Sequence, residues 1–201
     1  MFNVLLDELP TTWNGYEIDG DYQIGIQISQ CMSDKSLNNT EKLYVAANLL
    51  FVKNCPQSYE EIAEALQWFL NGWNHDNMGY ARKKQSSLDK PVETMDFDVD
   101  QWRVYAAFKS QYGIDLGTEK MHFWVFMGLI SSLEECAFTR VVSIREKKID
   151  SKMSKEEKNW LRKAKEMFRI RKDYAEEETT EQNEERKAAI EEFNRIRKKS
   201  T

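Results

Sequence analysis

Few side chains in this sequence have the type and spacing that chemistry requires. The two histidines, His75 and His122, lie far apart. His75-Asp76 offers half of a metal site or half of an acid–base pair. A metal site needs several converging ligands, so the plain reading is a polar loop residue. His122 stands beside an aromatic helix face, where a histidine holding a backbone or carboxylate hydrogen bond is the ordinary case. Asp96-x-Asp98-x-Asp100 mimics the opening of a calcium loop, but the frame lacks Gly at position six and has Ala107 at position twelve instead of Glu. Helix capping and compensation of the helix dipole account for these carboxylates better. Glu60-Glu61 and Glu134-Glu135 likewise start or punctuate helices. Neither G-x-x-x-x-G-K-[ST] nor G-x-G-x-x-G occurs. Cys31, Cys55 and Cys136 are widely spaced with no C-x-x-C pair, which reads as free buried thiols in a reducing compartment. These residues assemble no catalytic constellation. The expectation is a protein that is not an enzyme and needs no cofactor or metal.

The second kind of chemistry on offer is binding. Residues 140–172 hold 13 Lys and Arg against 5 Asp and Glu, including Arg140, Arg145, Lys147, Lys148, Lys163, Arg169 and Arg171. Such a block suits phosphate contacts on a nucleic acid. The preceding residues 1–139 hold 10 basic against 20 acidic side chains and would repel the same polyanion. A solvated helix face is the preferred reading, and nucleic-acid binding by 140–172 the alternative. Within the block, Ser154-x-x-Glu157 is a capping box. It opens a helix with Trp160, Leu161, Ala164, Met167, Phe168 and Tyr174 on one side. That stripe either docks on the chain's own core, as favoured for Trp160 and Leu161, or is offered to another protein in helix-in-groove fashion. Trp160, Ala164, Met167, Phe168 and Tyr174 are the expected partner contacts.

The elements that would position these groups are mostly helical. Gly (8) and Pro (3) are scarce among 201 residues, which argues against an all-β sandwich. Asn14-Gly15 between Trp13 and Tyr16 suits a type I′ hairpin turn. Tyr22, Ile24, Ile26 and Ile28 alternate as in a strand, while Asp19 or Asp21 would cap a helix running to about Met32. Thr40 or Asn39 caps a helix with the stripe Leu43, Ala46, Ala47, Leu50 and Phe51, stopped before Pro56. Ser58-x-x-Glu61 opens a third helix, with Ile62, Ala65, Leu66 and Phe69 inward and Gly72 as a left-handed stop. Residues 74–95 read as a polar loop. Asp98 caps a fourth helix facing inward through Trp102, Tyr105 or Ala106, Phe108 or Lys109, and Tyr112. After the stop at Tyr112-Gly113, Thr118 caps a fifth helix with Met121, Trp124, Val125, Gly128 and Leu129 inward. A shorter helix over Phe138–Ile149 follows, and a last piece carries Ala189, Phe193 and Ile196. Trp102, Phe108, Tyr112, His122 and Trp124 are the expected core. The fold class is all-α: a helical body over residues 1–150 with a small N-terminal hairpin, then a C-terminal amphipathic arm and charged tail over 151–201. No apolar run reaches the ~18 residues of a membrane span. The first ten residues lack the basic flank of a secretory signal, so a soluble cytosolic protein is expected.

The stretch DFDVDQWRVYAAFKSQYGIDL followed by MHFWVF resembles the bacteriophage gene-product-15 family. The resemblance rests on Asp96, Phe97, Asp98 and Asp100, then on Ala106, Ala107, Phe108 and Tyr112 through Leu116, then on His122, Phe123, Trp124 and Phe126. NGYEIDGDYQIGIQI, LQWFLNG and FTRVVSIR also look like the family, which favours the helical reading of residues 22–32. His-Phe-Trp stands where His-Trp-Trp is the family's pattern. Family members are encoded among tail genes near the tape-measure gene. The resemblance therefore implies a tail assembly chaperone that coats the tape-measure protein in the host cytoplasm, with self-association along it, and that leaves before the virion matures.

Overall fold

The computed structural model describes residues 3–74 and 94–170. They form a two-stranded hairpin, β1 (Thr12–Trp13) and β2 (Tyr16–Glu17), and seven α-helices: α1 (Tyr22–Ser33), α2 (Asn39–Leu50), α3 (Tyr59–Asn71), α4 (Phe97–Gln111), α5 (Phe123–Ser131), α6 (Ala137–Glu146) and α7 (Lys155–Met167). The all-α class with a small N-terminal hairpin is thus what the chain adopts. The chain divides at Arg169, and all described residues but Ile170 lie in the first unit. The polar loop falls almost wholly outside the described residues, as do Tyr174 and the last helical piece.

Local sequence explains most boundaries. Asn14 (φ 46°) and Gly15 (φ 85°) take the left-handed conformations a type I′ turn needs, and pair Trp13 with Tyr16 across the hairpin. Asp21 caps α1 by accepting from the Gln23 N–H, so residues 22–33 are helix and not strand. Ser58 accepts from the Glu60 and Glu61 N–H groups at the start of α3, and Ser154 and Glu157 complete a reciprocal capping box on α7.

Three expected helix starts move, and α6 ends at Glu146, short of the expected Ile149. Asn38, not Asn39 or Thr40, caps α2, in a reciprocal box with Glu41. Asp96, not Asp98, caps α4, accepting from both Asp98 and Val99 N–H. The fifth helix starts at Phe123, not after Thr118, because residues around Asp21 and His122 form an isolated antiparallel bridge. Tyr22 N–H donates to the Met121 carbonyl (2.9 Å) and Phe123 N–H to the Gly20 carbonyl (2.8 Å). Those bonds hold the backbone extended until His122 caps the helix. Gly72 is right-handed helical (φ −61°) and continues into a 3₁₀ turn over Gly72–Asn74. What requires glycine there is space, since a Cβ would lie 2.1 Å from Cζ2 of Trp124. The left-handed stop belongs to Gly113 (φ 72°), after α4.

The core is built from rings. Phe126 sits among Phe108 (5.1 Å between centroids), Tyr22 (4.9 Å) and Phe97 (6.0 Å). Phe69 stacks on Phe123 at 5.3 Å, and the Trp124 indole N–H donates to the Phe69 carbonyl at 2.7 Å. Phe108 and Trp124 are buried as expected, and Tyr112 and His122 are half-buried. Trp102 is not core: it is 75% exposed. The inner face of α4 is Asp100, Val104, Ala107 and Phe108. A charged residue on that face turns Trp102, two positions from Asp100, toward water.

Candidate protein-binding surface

The aspartates that mimic a calcium loop do three separate jobs. Asp96 caps α4. Asp98 accepts a hydrogen bond from the Gln30 amide on α1. Asp100 is fully buried and meets Arg145 of α6, itself 5% exposed. Arg145 Nη1 lies 2.5 Å from Asp100 Oδ2 and Nη2 lies 3.1 Å from Oδ1, a two-toothed pairing. Arg103 Nη1 adds a third contact at 2.8 Å, and the Asp96 N–H donates at 3.2 Å. Arg145 also donates through Nε to the Phe168 carbonyl (2.7 Å) and through Nη1 to the Thr94 carbonyl (3.1 Å). Lys165 Nζ returns a bond to the Arg145 carbonyl at 2.6 Å. Arg145, read from sequence as part of a solvated basic block, is therefore the buried centre joining α4, α6 and α7. Its signal was the spacing Phe138, Val141, Arg145, which is one helix face.

His122 is also structural. Its Nδ1 accepts from the Trp124 N–H at 3.1 Å, capping α5. With Nδ1 as acceptor, the proton of the neutral ring sits on the buried Nε2. Burial lowers its pKa, and Pro10 opposes this in part. Burial likewise raises the Cys31 thiol, with Asp34 adding to it. Cys31 is buried, while Cys55 and Cys136 are half-buried.

The expected partner-contact residues separate on α7. Ala164 is a correction: it is 8% exposed and packs inward with Leu161. Alanine at that position lets the helix lie close to the body. Trp160, favoured as docked, is instead 59% exposed, and Met167 is 76% exposed. Phe168 is half-buried beneath the Arg103 guanidinium, whose carbon lies 5.9 Å from the ring centroid. Tyr174 lies outside the described residues. Thus α7 turns Leu161 and Ala164 to the body and Trp160 and Met167 to water.

A second surface had no sequence signal. A groove of about 540 Å³ runs between α1, α4 and the turn at residues 115–117. Phe97, Trp102, Tyr105, Leu116 and Phe126 give it an apolar lining. Trp102 and Tyr105 meet edge to face at 6.0 Å. Two lining residues are acidic, Asp98 and Asp115, and none of the described ones is basic. Lys109, outside the lining, hydrogen-bonds Asp115 at 3.0 Å and holds its carboxyl below the usual range, helped by the Gly117 N–H. The groove is therefore greasy with an ionised rim.

Among the described residues no helix is long and apolar enough to cross a membrane. No curated protein and no solved structure gives a significant match to this chain. The model of one family, described as Bacteriophage Gp15 protein, matches residues 5–170, a span holding α1 to α7, the buried ion pair and the groove. The chain belongs to the Bacteriophage Gp15 protein family.

Proposed function

We propose that this chain is a phage tail assembly chaperone. It binds the tape-measure protein in the host cytoplasm, associates with itself along that polypeptide, performs no catalysis and is absent from the finished virion. One observation carries the reading: a member of this phage family keeps large apolar side chains, Trp102, Trp160 and Met167, in water on a well-packed body. Exposed rings of that size on an ordered scaffold mark contact surfaces. The chemistry-bearing side chains support the non-enzymatic part, because Asp96, Asp100, Arg145 and His122 are each engaged in capping or pairing.

Co-expression with the tape-measure protein from the same phage genome tests this. The tape measure should stay soluble and co-purify with this chain, and remain insoluble without it. A tape measure equally soluble and unbound in both cases ends the reading. DNA retention that falls steeply with salt would instead favour the basic block 140–172 as a nucleic-acid site.

A further inference from the structure

We propose that two copies of this chain meet through unlike surfaces, the outward stripe of α7 on one copy seating in the α1/α4 groove of the other. This deepens the chaperone reading, whose self-association it supplies with a geometry. The stripe is Trp160, Lys163 and Met167, spaced three and four residues and exposed on one side of α7. Two large apolar side chains flank a cation. The groove is the counterpart: aromatic and aliphatic walls carrying Asp98 and Asp115 and no basic side chain among its described lining residues. Apolar surface would meet apolar surface, and Lys163 would face the Asp98 carboxylate, Asp115 already being paired with Lys109. The wider charge agrees, since residues 140–172 are strongly basic and 1–139 strongly acidic.

Both surfaces are held in place before contact. Leu161, Ala164 and the bond from Lys165 to the Arg145 carbonyl fix α7 on the body. Tyr105 donates to Asp115 at 3.2 Å and braces the Trp102 ring. Ordering costs on association are correspondingly small. Each chain carries one stripe and one groove. Two copies can therefore exchange stripes and close as a pair, or continue copy after copy. An open run is the form that would sheathe an extended polypeptide.

The test is the mass of the full chain across a concentration series, measured by light scattering, with two variants at exposed positions. Trp102→Ala disables the groove and Met167→Asp the stripe. Circular dichroism and melting temperature check that both still fold. Wild type should gain mass with concentration, and each variant should associate roughly tenfold more weakly or worse. Mixed together, the two variants should recover a one-to-one complex, because one retains a working stripe and the other a working groove. A wild type that stays monomeric at every concentration overturns the proposal, and a monomer with Trp102 closed to acrylamide shows the groove covered from within its own chain. Association that both variants retain, or a mixture that fails to pair, overturns it too. A wild type that self-associates through these surfaces but does not hold the tape measure removes only the chaperone reading. The opposite result removes only this interface.

Discussion

Arg145 is the residue on which the packing of the C-terminal half turns. Its guanidinium leaves water to meet one carboxylate and two carbonyls, so removing it takes the two-toothed partner from buried Asp100, which keeps only Arg103 and the Asp96 N–H, and leaves the Thr94 and Phe168 carbonyls without their donor. Arg145→Ala should lower unfolding free energy by about 3–5 kcal/mol in urea titration. A change of about half a kcal/mol or less would mean water replaces the arginine freely. His122 gives a pH signature. Its neutral imidazole is favoured by burial, so the unfolded chain takes up this proton at a higher pH than the folded one. The associated stability is complete above the ordinary value of 6.5 and is lost as pH falls below it. His122→Asn keeps a good helix-capping acceptor and removes the titration. Its stability should be flatter than wild type between about pH 6.5 and 5. Parallel curves would show that His122 titrates alike folded and unfolded. His122 is legible in the sequence as a structural histidine holding a backbone hydrogen bond, though not as the cap of α5, while Arg145 is hidden within a basic block despite sharing one helix face with Phe138 and Val141. Charged residues were assigned to the outside, which hid the face Asp100–Val104–Ala107–Phe108 and put Trp102 in the core by default.

At the scale of elements, short-range chemistry was legible. The Asn14-Gly15 turn and the boxes at Ser58 and Ser154 depend on neighbours within about four residues, and each starts its element where the residues say. Boundaries set by distant partners were not legible. The delay of α5 from Thr118 to Phe123 comes from residues 20–22, about a hundred positions away in sequence. Gly72 shows the same separation of local from distant causes. Alanine favours helix over glycine by about 1 kcal/mol, so propensity alone predicts that Gly72→Ala stabilises. Contact with the Trp124 indole predicts the reverse, because the new methyl meets a ring fixed by its bond to the Phe69 carbonyl. Gly72→Ala should lose about 1–3 kcal/mol by denaturant titration. A stabilised variant would show that the α3–α5 contact yields easily.

At the scale of the whole molecule, composition and helical periodicity were enough for the fold class. They could not reveal the groove, which forms from segments near residues 26–30, 97–105, 115–117 and 126 that meet only after folding. Its most prominent side chain should matter little to the monomer: Trp102→Ala should leave stability within about 0.5 kcal/mol of wild type, as for exposed positions generally. A larger loss in thermal melts would mean the indole supports the fold. The grip of Arg145 on Thr94, Asp100 and Phe168 has a further consequence for motion. A helix that buries as few side chains as α7, Leu161 and Ala164 alone, usually opens first, and its amides exchange with deuterium early. Here α7 cannot lift without stripping partners from a buried cation that also serves α4 and α6. The backbone amides of α7 should therefore exchange in step with those two helices, opening as one cooperative block, with protection rising and falling together as denaturant is varied.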